Sequence, residues 1–269
     1  MSDTEARFGD FVSVKIDQNI AVLTLDRGDG YNAMSRAVLS QLIDAANWLS
    51  IHATSSVVIL TGAGGFSAGA DLKDPDRAND VDRSLVEKRQ LMRLGPDMCD
   101  AFERLEQVTI CAIERFCIGG GVALAIACDH RIIGRGVHLR LPEIPLGMNM
   151  SWHSNPRTVS LIGPSRAKQF TILGEKLAAE TALQWGLVDQ CVDDGDSFAA
   201  ALELAGRYAA VPPLALRMTK QAINSAALPL GQATSFMDRD QFAFAATSAD
   251  QSEAVRAFLE KRPAKFTGN

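Results

Sequence analysis

Alternating apolar and polar positions over residues 12–15 and 20–25 predict two short strands, with Gln18 and Asn19 at the turn between them. Ser35 stands where a helix cap is expected, ahead of Val38, Leu39, Leu42, Ile43 and Ala46, whose spacing places one apolar stripe on a helix. Val57, Val58, Ile59 and Leu60 form an unbroken apolar run, the pattern of a buried strand. The polar stretch 73–84 predicts a mobile loop, and residues 85–105 a long helix bent near Gly95-Pro96. A further strand is expected over 109–113, a helix after Gly119, Gly120 and Gly121, and strands over 131–133 and 137–141.

From Arg157 the pattern turns helical, with predicted helices over 165–173, 179–185, 198–210, 214–227, 231–246 and 251–261. Strands alternating with helices, then helices alone, define an α/β core followed by a C-terminal helical region. The division is placed at residues 1–205 and 206–269, although no linker or low-complexity run marks it.

Two small-residue segments interrupt this pattern and carry the chemistry. Ile118 leads into three consecutive glycines and then an Ala/Leu-rich stretch ending at Cys128-Asp129. Each glycine costs a helix about 1 kcal/mol, so a triplet at a helix entrance points to a need for bare backbone there. Free N–H groups in a first helical turn favour a negatively charged oxygen. The second segment, Phe66-Ser67-Ala68-Gly69-Ala70-Asp71-Leu72, follows the buried run at 57–60 and can supply a partner N–H. Two backbone donors aimed at one oxygen make an oxyanion hole.

Composition narrows the remaining classes. With 269 residues the chain can bury a full core. Its 27 basic and 32 acidic residues give a net charge of −5 without a basic run, which argues against nucleic acid as a partner. Cys99, Cys111, Cys117, Cys128 and Cys191 are odd in number and lack CxxC spacing, so buried free thiols are expected rather than disulfides or a metal site. The polar, acidic first ten residues and the shortness of the apolar runs predict a cytoplasmic protein with no membrane partner. His130 and His138 fall on predicted strands and read as structural.

Taken together, these blocks resemble the crotonase superfamily, the enoyl-CoA hydratases and isomerases. The resemblance is carried by residues 21–25 with Tyr31-Asn32-Ala33-Met34, Leu60-Thr61-Gly62 through Leu72, residues 118–129, and Pro142-Glu143-Ile144 with Leu146-Gly147. Residues 182–188 and Phe258-Leu259-Glu260-Lys261-Arg262 complete it, in the family's order. It implies a spiral core of repeated ββα units and a C-terminal helical region for trimerisation, as a homotrimer or a hexamer built as a dimer of trimers. It implies an acyl-CoA thioester as ligand, with coenzyme A part of the substrate and no separate cofactor or metal.

The same resemblance assigns roles to residues. The N–H groups of Ala70 and Gly120 match the oxyanion donors, and Glu143 the catalytic carboxylate. Ala68, Ala70, Asp71, Leu72, Lys73 and Gly120 follow the ligand-binding turns; Lys73 and Lys261 match positions that meet CoA phosphates, and Phe242 one that packs on the nucleotide. Hydratases carry a second glutamate three residues past the oxyanion glycine, where this chain has Ala123. They usually continue past the catalytic glutamate in a Gly-rich turn, where this chain has the bulky run from Met148 through Met150 to Trp152. Ala123, Met148, Met150 and Trp152 are therefore expected to shape the acyl pocket. Asn149, Ser151 or His153 offers a substitute polar group, or simply loop hydrogen bonding. The leading reading is a single-glutamate enoyl-CoA isomerase. A hydratase or hydrolase with a substitute group, and a non-catalytic acyl-CoA binder, are the alternatives.

Overall fold

The computed structural model describes residues 4–52, 54–80, 82–228 and 231–269. It opens with an antiparallel meander, β1 (Thr4–Phe8), β2 (Val12–Asp17) and β3 (Ile20–Leu25), in which Val14 faces Leu23 and Ile16 faces Ala21. Helix α1 (Arg36–Ile51) crosses over, its end capped by Ser35 Oγ accepting from the Val38 N–H. Strand β4 (Val57–Gly62) returns parallel to β3. Helices α2 (Leu85–Leu91) and α3 (Leu94–Glu103) lead to β5 (Val108–Ile113), parallel to β4. Short β6 (Phe116–Ile118) feeds α4 (Gly120–Ala125). Then come β7 (His130–Gly134), β8 (His138–Arg140), α5 (Ser154–Leu173), β9 (Leu177–Ala178), α6 (Ala179–Trp185), β10 (Gln190–Val192) and α7 (Ser197–Ala209). The chain ends in α8 (Pro213–Ala227), α9 (Gly231–Ser235), α10 (Asp238–Ala245) and α11 (Ala249–Glu260).

The main sheet runs β1-β2-β3-β4-β5-β7-β10, and β6-β8-β9 form a second, smaller sheet. Period-two alternation divides the buried strands between two cores. Val58, Leu60, Cys111 and Ile113 pack towards α1, α3 and α4, whereas Val57, Ile59, Val108 and Ile110 pack against Ala201 and Ala205 of α7. After each of several main-sheet strands the chain takes a short step in the second layer. Met34 bridges Ala70, Ser67 bridges Cys117, and β6 pairs with β8. This repetition is the ββα spiral.

Several expectations change. The helix expected over 179–185 is α6, but it is flanked by two strands that were not expected, β9 and β10, too short for alternation to register. The single helix expected over 85–105 is two, with the break at Met92-Arg93 rather than at Gly95-Pro96, because proline is tolerated in the first turn of α3. Part of the expected loop at 73–84 is a 3-10 turn over Pro75–Asp80, tied to α1 by the Arg36–Asp80 ion pair. Helix α5 starts earlier than expected, at Ser154, and carries a kink at Gly163 (φ 75°) before Pro164. Residue 205 lies inside α7, and Ala205 packs on the sheet. The five cysteines are free, four of them buried and Cys191 partly so.

Candidate active site

A cavity of about 460 Å³ opens between the turn after β4, the start of α4, the loop after β8, and helices α2 and α10. The two small-residue turns meet at its floor through backbone alone. Gly69 sits at φ 86°, and a β-carbon there would lie 2.7 Å from the Ile118 carbonyl oxygen and 3.2 Å from the Gly120 nitrogen. Gly119 caps α4 at φ 51° and donates its N–H to the Arg140 carbonyl at 2.8 Å. The bridge between Met34 and Ala70 uses the neighbouring Gly69 carbonyl and Asp71 N–H. Among the described residues, the N–H groups of Ala70 and Gly120 are thus left without a protein partner, and both residues line the cavity. Gly120 is buried and Ala70 partly buried, and unpaired donors in such positions are uncommon.

Glu143 follows Pro142 at the end of the β8 segment, just before a 3-10 turn over Ile144–Leu146. Its Oε2 is buried with no hydrogen-bond partner, and its Oε1 lies 2.8 Å from where a Gly119 β-carbon would stand. Burial pushes its carboxyl up to about 7, against a weaker opposing pull from its own backbone and Arg140. The other lining carboxylates are engaged: Asp74 accepts from the N–H groups of Arg36 (2.8 Å) and Asp76 (3.0 Å), and Asp80 pairs with the Arg36 guanidinium. Among the described lining residues, Glu143 is the carboxylate joined neither to an arginine nor to another residue's N–H.

The apolar wall faces this floor. Met148, Met150, Trp152 and Phe242 line the cavity together with Leu91 of α2 and Met92 just after it. The Trp152 indole lies in a slot between two glycines: a β-carbon on Gly95 would fall 2.1 Å from its Cε2, and one on Gly120 2.2 Å from its Cζ3. Phe242 reaches the wall from α10 of its own chain. That helix is tied to the 149–153 loop by Asp238, which accepts from the His153 N–H at 2.7 Å, and to α2 by the Arg89–Asp240 ion pair.

Ala68 and Leu72 line the cavity beside Ala70. Four expected site residues do not. Ala123 is fully buried in the core; it shares the Gly120 face of α4, but Trp152, packed on that core, takes the wall position. Asp71 faces away, pairing with Arg27 at 2.8 Å and accepting from the Lys73 N–H at 2.9 Å. Lys73 is exposed, and Lys261, also exposed, caps α11 at φ 54°; neither lies in the cavity wall. Of the candidate polar substitutes, Ser151 lines the cavity, while His153 is held by Asp100 (3.0 Å) and the Asn149 amide reaches Asp238 (3.4 Å). Sequence reasoning missed Gly95, Met92 and Arg239 in the wall. Gly95 had a signal in the Gly-Pro pair, read only as a bend; Arg239 had none.

The cavity thus joins two small-residue turns and a buried carboxylate on a ββα spiral. Residues 15–269 match the family Enoyl-CoA hydratase/isomerase, and the chain belongs to it. It is 31% identical to a crotonyl-CoA hydratase of Syntrophomonas wolfei over 93% of this chain and 95% of that one. It is also 31% identical to a 1,2-epoxyphenylacetyl-CoA isomerase of Escherichia coli, over 96% and 99%. An enoyl-CoA hydratase crystal structure from Mycobacterium avium subsp. paratuberculosis shares the fold at a TM-score of 0.84 and 24% identity, over 96% of this chain and 99% of that one.

Proposed function

We propose that this protein isomerises a 3-enoyl-CoA to the conjugated 2-enoyl-CoA with Glu143 as its single acid/base. The observation that carries this reading is the buried Glu143 carboxylate, its Oε2 without a hydrogen-bond partner, in the same cavity as the unpaired Ala70 and Gly120 N–H groups. The thioester oxygen accepts from both N–H groups, and Glu143 removes a proton from C2. Negative charge gathers on the thioester oxygen, where each preorganised donor contributes on the order of 3 kcal/mol. Glu143 then returns the proton at C4. The proton moves within the substrate, so coenzyme A enters as part of the thioester and no further cofactor or metal is required. A carboxyl near 7 suits both halves of the shuttle.

Hydration or hydrolysis is the second reading, favoured by Ser151, a hydroxyl in the cavity wall. A homotrimer, or a dimer of trimers, is the proposed assembly, supported by the exposed apolar side chains of α8, α10 and α11. The deciding experiment offers 3-enoyl- and 2-enoyl-CoA thioesters in D₂O to the wild type and to Glu143→Gln, following products and C2 deuteration. The wild type is expected to convert the 3-enoyl thioester and exchange C2 hydrogen, and the variant to bind thioester without exchange. Wild-type exchange rates in Glu143→Gln would move the chemistry to another group.

A further inference from the structure

The loop after Glu143 is held in an unfavourable shape. Trp152 and His153 are consecutive non-glycine residues at positive φ, 61° and 54°, a conformation that persists only when surroundings impose it. Here the surroundings do. The Arg157 side chain, 4% exposed, donates from Nη1 to the Trp152 carbonyl (3.2 Å) and the His153 carbonyl (3.3 Å). The same guanidinium pairs with Asp100 (2.8 Å) and Glu103 (2.6 Å) on α3. His153 is fixed on both sides, its ring against Asp100 and its N–H on Asp238. The hydrogen bond to Asp100 also raises the imidazole's pKa, favouring the charged form that strengthens the clamp.

What this scaffold presents to the cavity is the indole, slotted between Gly95 and Gly120. It forms the wall on the α4 side, against the core that contains the fully buried Ala123. We infer that Trp152 is a specificity-determining residue, closing the α4 side of the bound enoyl group to water so that isomerisation is not followed by hydration. Hydration would form a bond from water oxygen to C3 while C2 takes a proton, and it needs a water on a defined face of the double bond. An indole in van der Waals contact with the Gly120 backbone leaves no room for that water on this side. Asp100, Asp238 and Arg157 act through the loop, as positioning residues. The inference rests on the isomerase reading, since it concerns the fate of that reaction's product.

The test is a product ratio, which does not depend on how much of a variant folds. Each enzyme receives a 3-enoyl-CoA, and 2-enoyl-CoA and 3-hydroxyacyl-CoA are quantified over time. Trp152→Ala is expected to raise the hydration-to-isomerisation ratio about tenfold, and Trp152→Phe to hold it near the wild-type value. A purely structural role would lower both rates together, so a ratio in Trp152→Ala less than about threefold above wild type overturns the inference. If Trp152→Ala does not fold, Gly95→Ala decides by the same threshold, because its methyl displaces the indole without removing it. Wild-type hydration as fast as isomerisation would overturn the isomerase reading itself. Fast wild-type isomerisation with an unchanged ratio would overturn only the role of Trp152.

Discussion

Glu143 owes its chemistry to burial, with one carboxylate oxygen left unpartnered. A base must be ionised, and with the carboxyl at about 7 the active fraction falls tenfold for each pH unit below that. Hence kcat/KM should rise from pH 5 to 7 and level off above, and a profile flat down to pH 5 would show that Glu143 is not the base. The same shift acts on stability. Folding raises this carboxyl above its ordinary value, so the native state favours the protonated form. That advantage is present at pH 4.5 and below and is lost as pH rises to 7. Above 7 the buried charge costs up to about 3 kcal/mol. Glu143→Gln should therefore match the wild type in urea denaturation near pH 4.5 and exceed it at pH 8. At this scale the sequence was legible where a motif fixed a residue: Pro142-Glu143, Ala70 and Gly120 all lie at the cavity. It was illegible where a side chain's direction depends on packing. The spacing of Ala123 from Gly120 suggested a wall position, but the spacing holds no information about an indole arriving from Trp152, far downstream in the chain.

The site floor is made of element ends, not of side chains, and this makes it sensitive to a single methyl group. Gly69 combines φ 86° with a close approach to the Ile118 carbonyl and the Gly120 nitrogen. Gly69→Ala should destabilise the fold by about 1–3 kcal/mol and misplace the Ala70 and Gly120 donors, with about a hundredfold loss in kcat. A variant with wild-type kcat would show that the two turns need not touch. Helix α4 supports a second prediction. Ala123→Glu by itself should lower the melting temperature without raising hydration, because the new carboxylate enters the core and not the cavity. A gain in crotonyl-CoA hydration would show that position 123 reaches the substrate after all. Elements of six residues or more with clear periodicity or an unbroken apolar run were readable from sequence, among them α1, β3, β4 and β5. Of the second layer, β8 was readable, inside the strand expected over 137–141, and the rest was not. Strands β6 and β9 and the bridges at Met34 and Ser67 span three residues or fewer, set by pairing across the spiral and not by local pattern.

The C-terminal helices serve the cavity on one side and leave much apolar surface on the other. Phe242 of α10 lines the site, yet Phe244, one turn-fraction along the same helix, is 81% exposed. Leu214 and Met218 lie four residues apart on one face of α8 and are 70% and 62% exposed; Leu259 of α11 is 74% exposed. Scattered apolar residues are ordinary on a surface, but large ones concentrated on one helical region mark a contact face. The whole chain's resemblance points to the same region as the assembly surface, and the proposed homotrimer would cover it. Light scattering at micromolar concentration should then give three or six times the 28.9 kDa chain mass. Placing two aspartates on that face, as Leu214→Asp with Met218→Asp, should lower the mass towards that of one chain, since neither carboxylate can be buried unpaired against another subunit. The cavity floor and its Glu143 come from a single chain, so the dissociated variant should still bind thioester through Ala70 and Gly120. A wild-type mass of one chain would remove the proposed assembly. An unchanged oligomer in the double variant would move the contact from α8 to α10 or α11.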